Sequence, residues 1–340
     1  MSGALTRLWY GNARTAALLQ PLASLYGAAV RLRRAAYAHG LLQQSALGCP
    51  VVVVGNLVVG GTGKTPLVAW LARELKARGF SVGIMSRGYG RTASDARLVA
   101  HDASWGEVGD EPLLLARATG CLTAVGADRL ASGRMLRAGG ANVIVSDDGL
   151  QHLRLARDCQ IVVVDGERGF GNGRLLPAGP LREPIARLGG ADAVVINAAS
   201  PSVGLVERCR RLNATVVQMQ LVPGAVTAVI GHERRSLESF RGTPVHAVAG
   251  IGNPARFFGE LRLAGLTVIE HAFADHHAFV ASDLDFGDDL AVLMTEKDAV
   301  KCTSFAGRPL WYVPVTVELS LPDAQELMAR VARRLEIYRR

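Results

Sequence analysis

Residues 51–70, VVVVGNLVVGGTGKTPLVAW, constrain the fold more tightly than any other stretch of the 340-residue chain. Four consecutive β-branched residues predict a strand buried on both faces, and the run beginning at Pro66 predicts an amphipathic helix over 66–78, with Leu67, Leu71 and Leu75 on one face and Gly79 after its end. Between them lies Val59-Gly60-Gly61-Thr62-Gly63-Lys64-Thr65. Glycines there let backbone N–H groups close around phosphate oxygens at a helix N-terminus, Lys64 can reach the β- and γ-phosphates, and the Thr65 hydroxyl can bind Mg²⁺. The strict phosphate-loop pattern has glycine where this chain has Val58, but the strand, loop and helix context is kept. The nucleotide-binding run is therefore read as Val59, Gly60, Gly61, Thr62, Gly63, Lys64, Thr65 and Pro66.

Other motifs add chemistry to that loop. Asn142–Asp148 is an apolar strand ending in Asp147 and Asp148, where a nucleotide site needs a carboxylate for Mg²⁺ or its waters; on its own, such an ending also suits an ordinary turn. Paired with the loop, it makes a Mg-nucleoside triphosphate, foremost Mg-ATP, the expected ligand. Gly109-Asp110-Glu111-Pro112 reads as a helix start with Asp110 as its cap, and equally as a place to hold a carboxylate base near a γ-phosphate. In Asp275-His276-His277 adjacent imidazoles on an extended segment point opposite ways, so at most one faces a site. The loop Ser86-Arg87-Gly-Tyr-Gly-Arg91 is either a grip for an anion or a solvated turn. Physical reasoning assigns no purpose to LPAGPLRE (176–183) or TEKDAVK (295–301), and Glu296 in the latter breaks the guanine-reading pattern of GTPases.

Short β-branched runs alternating with helical patterns predict an α/β fold, a phosphate-loop NTPase-like parallel sheet with strands at 51–55, 81–85, 142–146, 160–165, 192–197 and 215–221. A second, smaller α/β series follows, with strands near 244–249, 290–295 and 309–313 and a final helix near 322–338. The expected division is an N-terminal helical segment (1–48), a kinase domain (49–222) and a smaller C-terminal domain (223–340). The net charge of +8 is concentrated at the start: the first 73 residues carry Arg7, Arg14, Arg31, Arg33, Arg34, Lys64 and Arg73 and no acid. No aromatic-basic interleaving accompanies it, so nucleic acid is not an expected partner. Residues 4–47 read as helices broken near Pro21, too polar to span a bilayer but suited either to lying in its interface or to packing on the protein with solvated arginines. Five scattered cysteines exclude a disulfide framework and a structural zinc site.

Taken in order, GNLVVGGTGKTP (55–66), SRGYGR (86–91), GDEP (109–112), SDDGLQH (146–152), FGNGRLLPAGPLRE (170–183), DHHAF (275–279) and TEKDAVK resemble the tetraacyldisaccharide 4′-kinase family of the lipid A pathway in Gram-negative bacteria. The resemblance implies transfer of the ATP γ-phosphate to the 4′-hydroxyl of an acylated glucosamine disaccharide 1-phosphate, by an enzyme lying peripherally on the cytoplasmic face of the inner membrane through its N-terminal segment; a monomer is the expected state. It also implies Asp110 as base, paired with His276 rather than His277; Lys64 on the phosphates; Thr65, Glu111, Asp147 and Asp148 around Mg²⁺; and Arg87 on the lipid substrate. The competing expectation is a membrane-recruited phosphate-loop ATPase acting as a switch, which would release phosphate with no phosphorylated acceptor.

Overall fold

The computed structural model describes residues 8–11, 14–91, 93–100, 102–231, 233–305 and 309–336, so residues 1–7 and 12–13 of the N-terminal segment and 337–338 of the expected last helix lie outside the described residues. The four valines form β1 (Val51–Gly55), buried throughout. Val52 and Val54 join one apolar cluster with Leu67, Leu71 and Leu75, while Val51 and Val53 join another with Leu130 and Leu136, so the strand feeds cores on both faces of its sheet. Each fully buried leucine contributes about 1.5–3 kcal/mol.

In chain order the elements of the first lobe are α1 (Gln20–Ala38), β1, α2 (Lys64–Ala77), β2 (Val82–Ser86), β3 (Arg97–Leu98), α3 (Trp105–Val108), α4 (Asp110–Thr119), β4 (Leu122–Val125), α5 (Arg129–Ala138), β5 (Val143–Asp147), β6 (Cys159–Asp165), β7 (Ala193–Asn197), α6 (Val203–Arg210) and β8 (Val216–Pro223). Those of the second lobe are β9 (Val226–Ala228), β10 (Arg234–Arg235), β11 (Val245–Ala249), α7 (Pro254–Leu263), β12 (Val268–Ala272), β13 (Val292–Thr295), α8 (Glu296–Ala299) and β14 (Leu310–Val313). The chain closes with β15 (Val315–Leu319) and α9 (Leu321–Leu335).

A nine-stranded sheet runs in the order β15-β8-β7-β6-β1-β5-β2-β4-β3, parallel except at its two edges, where β15 and β3 are antiparallel to their neighbours. The six-stranded sheet runs β10-β9-β14-β13-β11-β12, with β11 to β14 parallel. The division at 223–340 needs correction at its far end. β15 pairs with β8, and Leu327, Met328, Val331 and Leu335 of α9 enter the same cluster as α2. The amphipathic α9 must cover an apolar face, and that face belongs to the first sheet. The break expected near Pro21 is present: a 3-10 turn at Arg14–Ala17 ends before α1 begins, and Pro21 sits in the first turn of α1, where its fixed φ and missing N–H fit. All five cysteines are free.

Candidate active site

β1 ends beside β5 with Val54 opposite Asp147, so the phosphate loop and the acidic strand end meet at the same edge of the sheet. The loop is held from several sides. Asn56 donates to the Gly60 carbonyl (3.1 Å), Asn197 at the end of β7 donates to the Thr62 carbonyl (3.0 Å), and Arg168 donates to the Gly61 carbonyl (2.6 Å) while paired with Asp165. LPAGPLRE is the loop's buttress: Val58 bridges to Leu181, the Val59 N–H donates to Pro180 O (2.9 Å), and the Arg182 N–H donates to Leu57 O (2.7 Å). Its last residue, Glu183, is buried and accepts from Gln151 (3.0 Å) beside Arg187 (3.4 Å). Lys64, Thr65 and Pro66 form the first turn of α2, with Gly63 in the left-handed region (φ 87°) before them.

The two acids at the end of β5 have opposite electrostatics. Asp147 is pushed up to about 7, first by burial and then by the charge of Glu111, against the pull of Lys64. Its Oδ2 accepts from the Thr65 hydroxyl (3.4 Å), whereas its buried Oδ1 has no partner. For Asp148, burial is outweighed by Lys64 (3.7 Å) and Arg182 (3.0 Å), which hold its carboxyl down at about 2. Arg87 stands exposed just past β2. Burial, together with the charges of Arg129 and Arg87, lowers His152 to about 4.

Asp110 is the first residue of α4, and Gly109 rather than Asp110 is the cap. Asp110 Oδ1 accepts the Glu111 N–H (2.8 Å), and Oδ2 faces the second lobe. His276, in a turn after β12 with φ 61°, brings Nδ1 to 2.9 Å from Asp110 Oδ2. The turn also separates the two histidines, since His277 pairs with Asp283 in its own lobe (2.9 Å). Burial would raise the Asp110 carboxyl, but the hydrogen bond from His276 and the charges of Lys297 and Lys301 outweigh it and hold it below the usual carboxylate range. Lys297 lies 3.0 Å from Glu111 and 3.3 Å from Asp275; those carboxylates and Asp110 overcome the effect of burial and raise its ammonium above the ordinary lysine value. The lobes therefore meet at a charged junction over an apolar contact in which Val300 joins Val108, Leu113 and Val125.

The profile of the tetraacyldisaccharide-1-P 4′-kinase family matches residues 15–336. The chain belongs to the tetraacyldisaccharide 4′-kinase family. It is 51% identical over 316 residues to the tetraacyldisaccharide 4′-kinase of Alkalilimnicola ehrlichii, covering 93% of this chain and 92% of that one. It is 46% identical to the enzyme of that name from Methylobacillus flagellatus, over 98% and 97% of the two chains. A crystal structure of LpxK from Aquifex aeolicus in complex with ATP superposes with a TM-score of 0.77 at 29% identity, covering 94% of this chain and 99% of that one.

Within this member of the family, the site residues named from sequence fall into two groups that share one field. Lys64, Thr65, Asp147 and Asp148 converge on the phosphate loop, and Asp110 and His276 meet across the lobes, with Glu111 close enough to both to raise Asp147 and to bind Lys297. Arg87 is the one named residue outside these contacts; its charge bears on Arg129 and His152 instead. Sequence reasoning missed Lys297, Lys301 and Asp275 as site residues. The signal was present in the lysines four residues apart in TEKDAVK, of which Lys297 lies within α8 and Lys301 in the turn that follows it.

Proposed function

We propose that the chain transfers the γ-phosphate of ATP to the 4′-hydroxyl of an acylated glucosamine disaccharide 1-phosphate, with Asp110 as the base and His276 as its partner. The observation that carries this reading is the Asp110–His276 contact, a buried carboxylate and an imidazole brought together from two lobes at 2.9 Å beside a phosphate loop. A phosphoryl group needs little covalent help to leave ADP, so the residues' work is placement and neutralisation. Lys64 and the loop N–H groups hold the phosphates, and Asp110 takes the proton of the 4′-hydroxyl as the new P–O bond forms and the ADP oxygen departs. A positioned general base of this kind contributes about 100- to 10,000-fold.

The residues fit Mg²⁺. The orphaned, buried Oδ1 of Asp147 and its raised carboxyl describe a site short of positive charge, and the Thr65 hydroxyl beside it is the usual companion ligand. Among the described residues no group of three or more acidic, histidine or cysteine side chains is set to hold a metal, which suits an ion bound through one or two protein oxygens plus substrate phosphates. Thr65 and Asp147, with Asp148 and Glu111 near, would hold it, and its chemistry there is neutralisation of phosphate charge.

A lipid acceptor is reached at a membrane surface. No helix among the described residues is long and apolar enough to cross one. Instead, Leu18, Leu25 and Leu32 are 80%, 69% and 73% exposed along and just before α1, which also carries Arg31, Arg33 and Arg34. Exposed leucines beside arginines favour peripheral attachment to an anionic interface. The test is transfer of γ-labelled phosphate from Mg-ATP to tetraacylated glucosamine disaccharide 1-phosphate in mixed micelles, with Asp110→Ala in parallel. Labelled lipid from the wild type and almost none from the variant is expected. Free labelled phosphate with unlabelled lipid would return the reading to a switch ATPase.

A further inference from the structure

The run TEKDAVK is built to dock one lobe on the other. The Thr295 hydroxyl caps α8, and Asp298 accepts both the Gly250 N–H (2.8 Å) and the Thr295 hydroxyl (2.6 Å), pinning the helix to the end of β11. Residues 297, 300 and 301 then share the face that meets the first lobe. Val300 makes the apolar contact, and the fully buried Lys301 lies 2.7 Å from Asp298 and 3.9 Å from Asp110.

Lys297 does something more specific. Its Nζ lies 3.0 Å from Glu111 Oε1, 3.3 Å from Asp275 Oδ1 and 3.4 Å from His276 Nε2. An ammonium has three protons and no acceptor, so each contact takes one proton and Nε2 of His276 must be the acceptor of its own. The ring proton therefore sits on Nδ1, which donates to Asp110 at 2.9 Å. His277, bonded to Asp283 in its own lobe, receives no such lysine.

We propose that Lys297 is a positioning residue that fixes His276 as the Nδ1–H tautomer and thereby aims the Asp110 carboxylate. The inference rests on the reading of Asp110 as the base. Lys297 also bears on Asp110 by its charge, with Nζ 4.0 Å from Asp110 Oδ2, so the His276 tautomer is the readout specific to its positioning role. Because Glu111 belongs to the first lobe and Asp275 and His276 to the second, the arrangement exists only while the lobes are together.

Three measurements test it on the full chain. In the phosphate-transfer assay Lys297→Met loses tenfold or more in kcat, a part of the roughly 100- to 10,000-fold a general base supplies. Lys297→Cys alkylated with 2-bromoethylamine, which restores the ammonium, recovers kcat, with wild type treated alongside. In ¹⁵N-histidine-labelled protein the ring nitrogens of His276, assigned with His276→Gln, report a single Nδ1–H tautomer that becomes a mixture in Lys297→Met. A Lys297→Met enzyme with wild-type kcat, a loss not recovered by the restored ammonium, or unaltered His276 nitrogens would each overturn the proposal. Asp110→Asn separates the two readings. If it is inactive while Lys297→Met is fully active, the lysine's role alone falls. If it keeps wild-type kcat, the base reading falls, and the nitrogen spectra still decide whether Lys297 sets the tautomer.

Discussion

Two glycines two residues apart in the phosphate loop should respond to the same methyl group in opposite ways. Gly63 has φ 87°, a conformation that costs an L-residue about 1–2 kcal/mol. A Cβ there would stand 2.4 Å from Asn197 Nδ2, the atom that donates to the Thr62 carbonyl from a fully buried side chain. Displacing Asn197 leaves a buried amide and carbonyl unpaired, worth about 1–3 kcal/mol more. Gly63→Ala should therefore lose about 2–5 kcal/mol in urea unfolding without nucleotide. At Gly61 a Cβ meets nothing within 4 Å, so Gly61→Ala should stay within about 1 kcal/mol of wild type. That open space is where phosphates would lie. Wild type should gain about 2.7 kcal/mol from Mg-ATP at a hundred times its Kd, and Gly61→Ala should gain little. Equal losses at the two glycines, or a Gly63→Ala protein as stable as wild type, would refute the reasoning.

Asp147 gives a pH signature. Its folded carboxyl, raised from 3.8 to about 7 by burial and Glu111, binds a proton across a window in which the unfolded chain does not, so stability without metal falls as pH rises from about 4 to about 7. Asp147→Asn removes that cost. The variant should be more stable than wild type at pH 8 by roughly 1–4 kcal/mol, with the advantage vanishing near pH 4, while it loses Mg²⁺-dependent nucleotide binding; urea unfolding across pH that finds it less stable at pH 8 would contradict the assignment. Replacing Leu18, Leu25 and Leu32 together by Ser should abolish flotation with anionic liposomes and leave the thermal midpoint in place, since all three side chains are exposed. Unchanged flotation would remove α1 from the membrane reading.

What was legible in the sequence is what repeats a local rule. The valine run, the glycine loop and Leu67, Leu71 and Leu75 sit as their spacing predicts, because strand burial and helix periodicity are properties of neighbours in the chain. Several other strands were not legible, although the four-residue β13 and β14 were. β4 has four residues, β3 and β10 have two each, and β12 alternates poorly because all five of its residues are partly or fully exposed. β15 follows β14 across the single residue Pro314 and gives no sign that it has changed sheets. At the candidate site, Lys64, Thr65, Asp147 and Asp148, named from local motifs, lie together, whereas Arg87 stands apart and Lys297 and Lys301 were not anticipated. Their partners in the first lobe, Glu111 and Asp110, lie 186 and 191 positions away, and only docking of the lobes makes them neighbours.

The return of β15 to the first sheet alters what the second lobe is. Val315 pairs with Pro223, and the Gly224 N–H donates to Pro314 O at 2.8 Å, so the chain leaves and re-enters the first lobe through adjoining strands. Residues 224–314 are thus an insertion whose two ends lie side by side. Such a module can be added to or lifted from a host sheet without moving the host's other strands, and a single cut in either connection leaves it attached by the other. The nucleotide loop and the acids of β5 belong to the host, while His276 and Lys297 belong to the insert. In this arrangement the sheet that carries the glycine loop and Asp110 obtains the imidazole paired with that carboxylate from a cassette inserted between β8 and the edge strand β15.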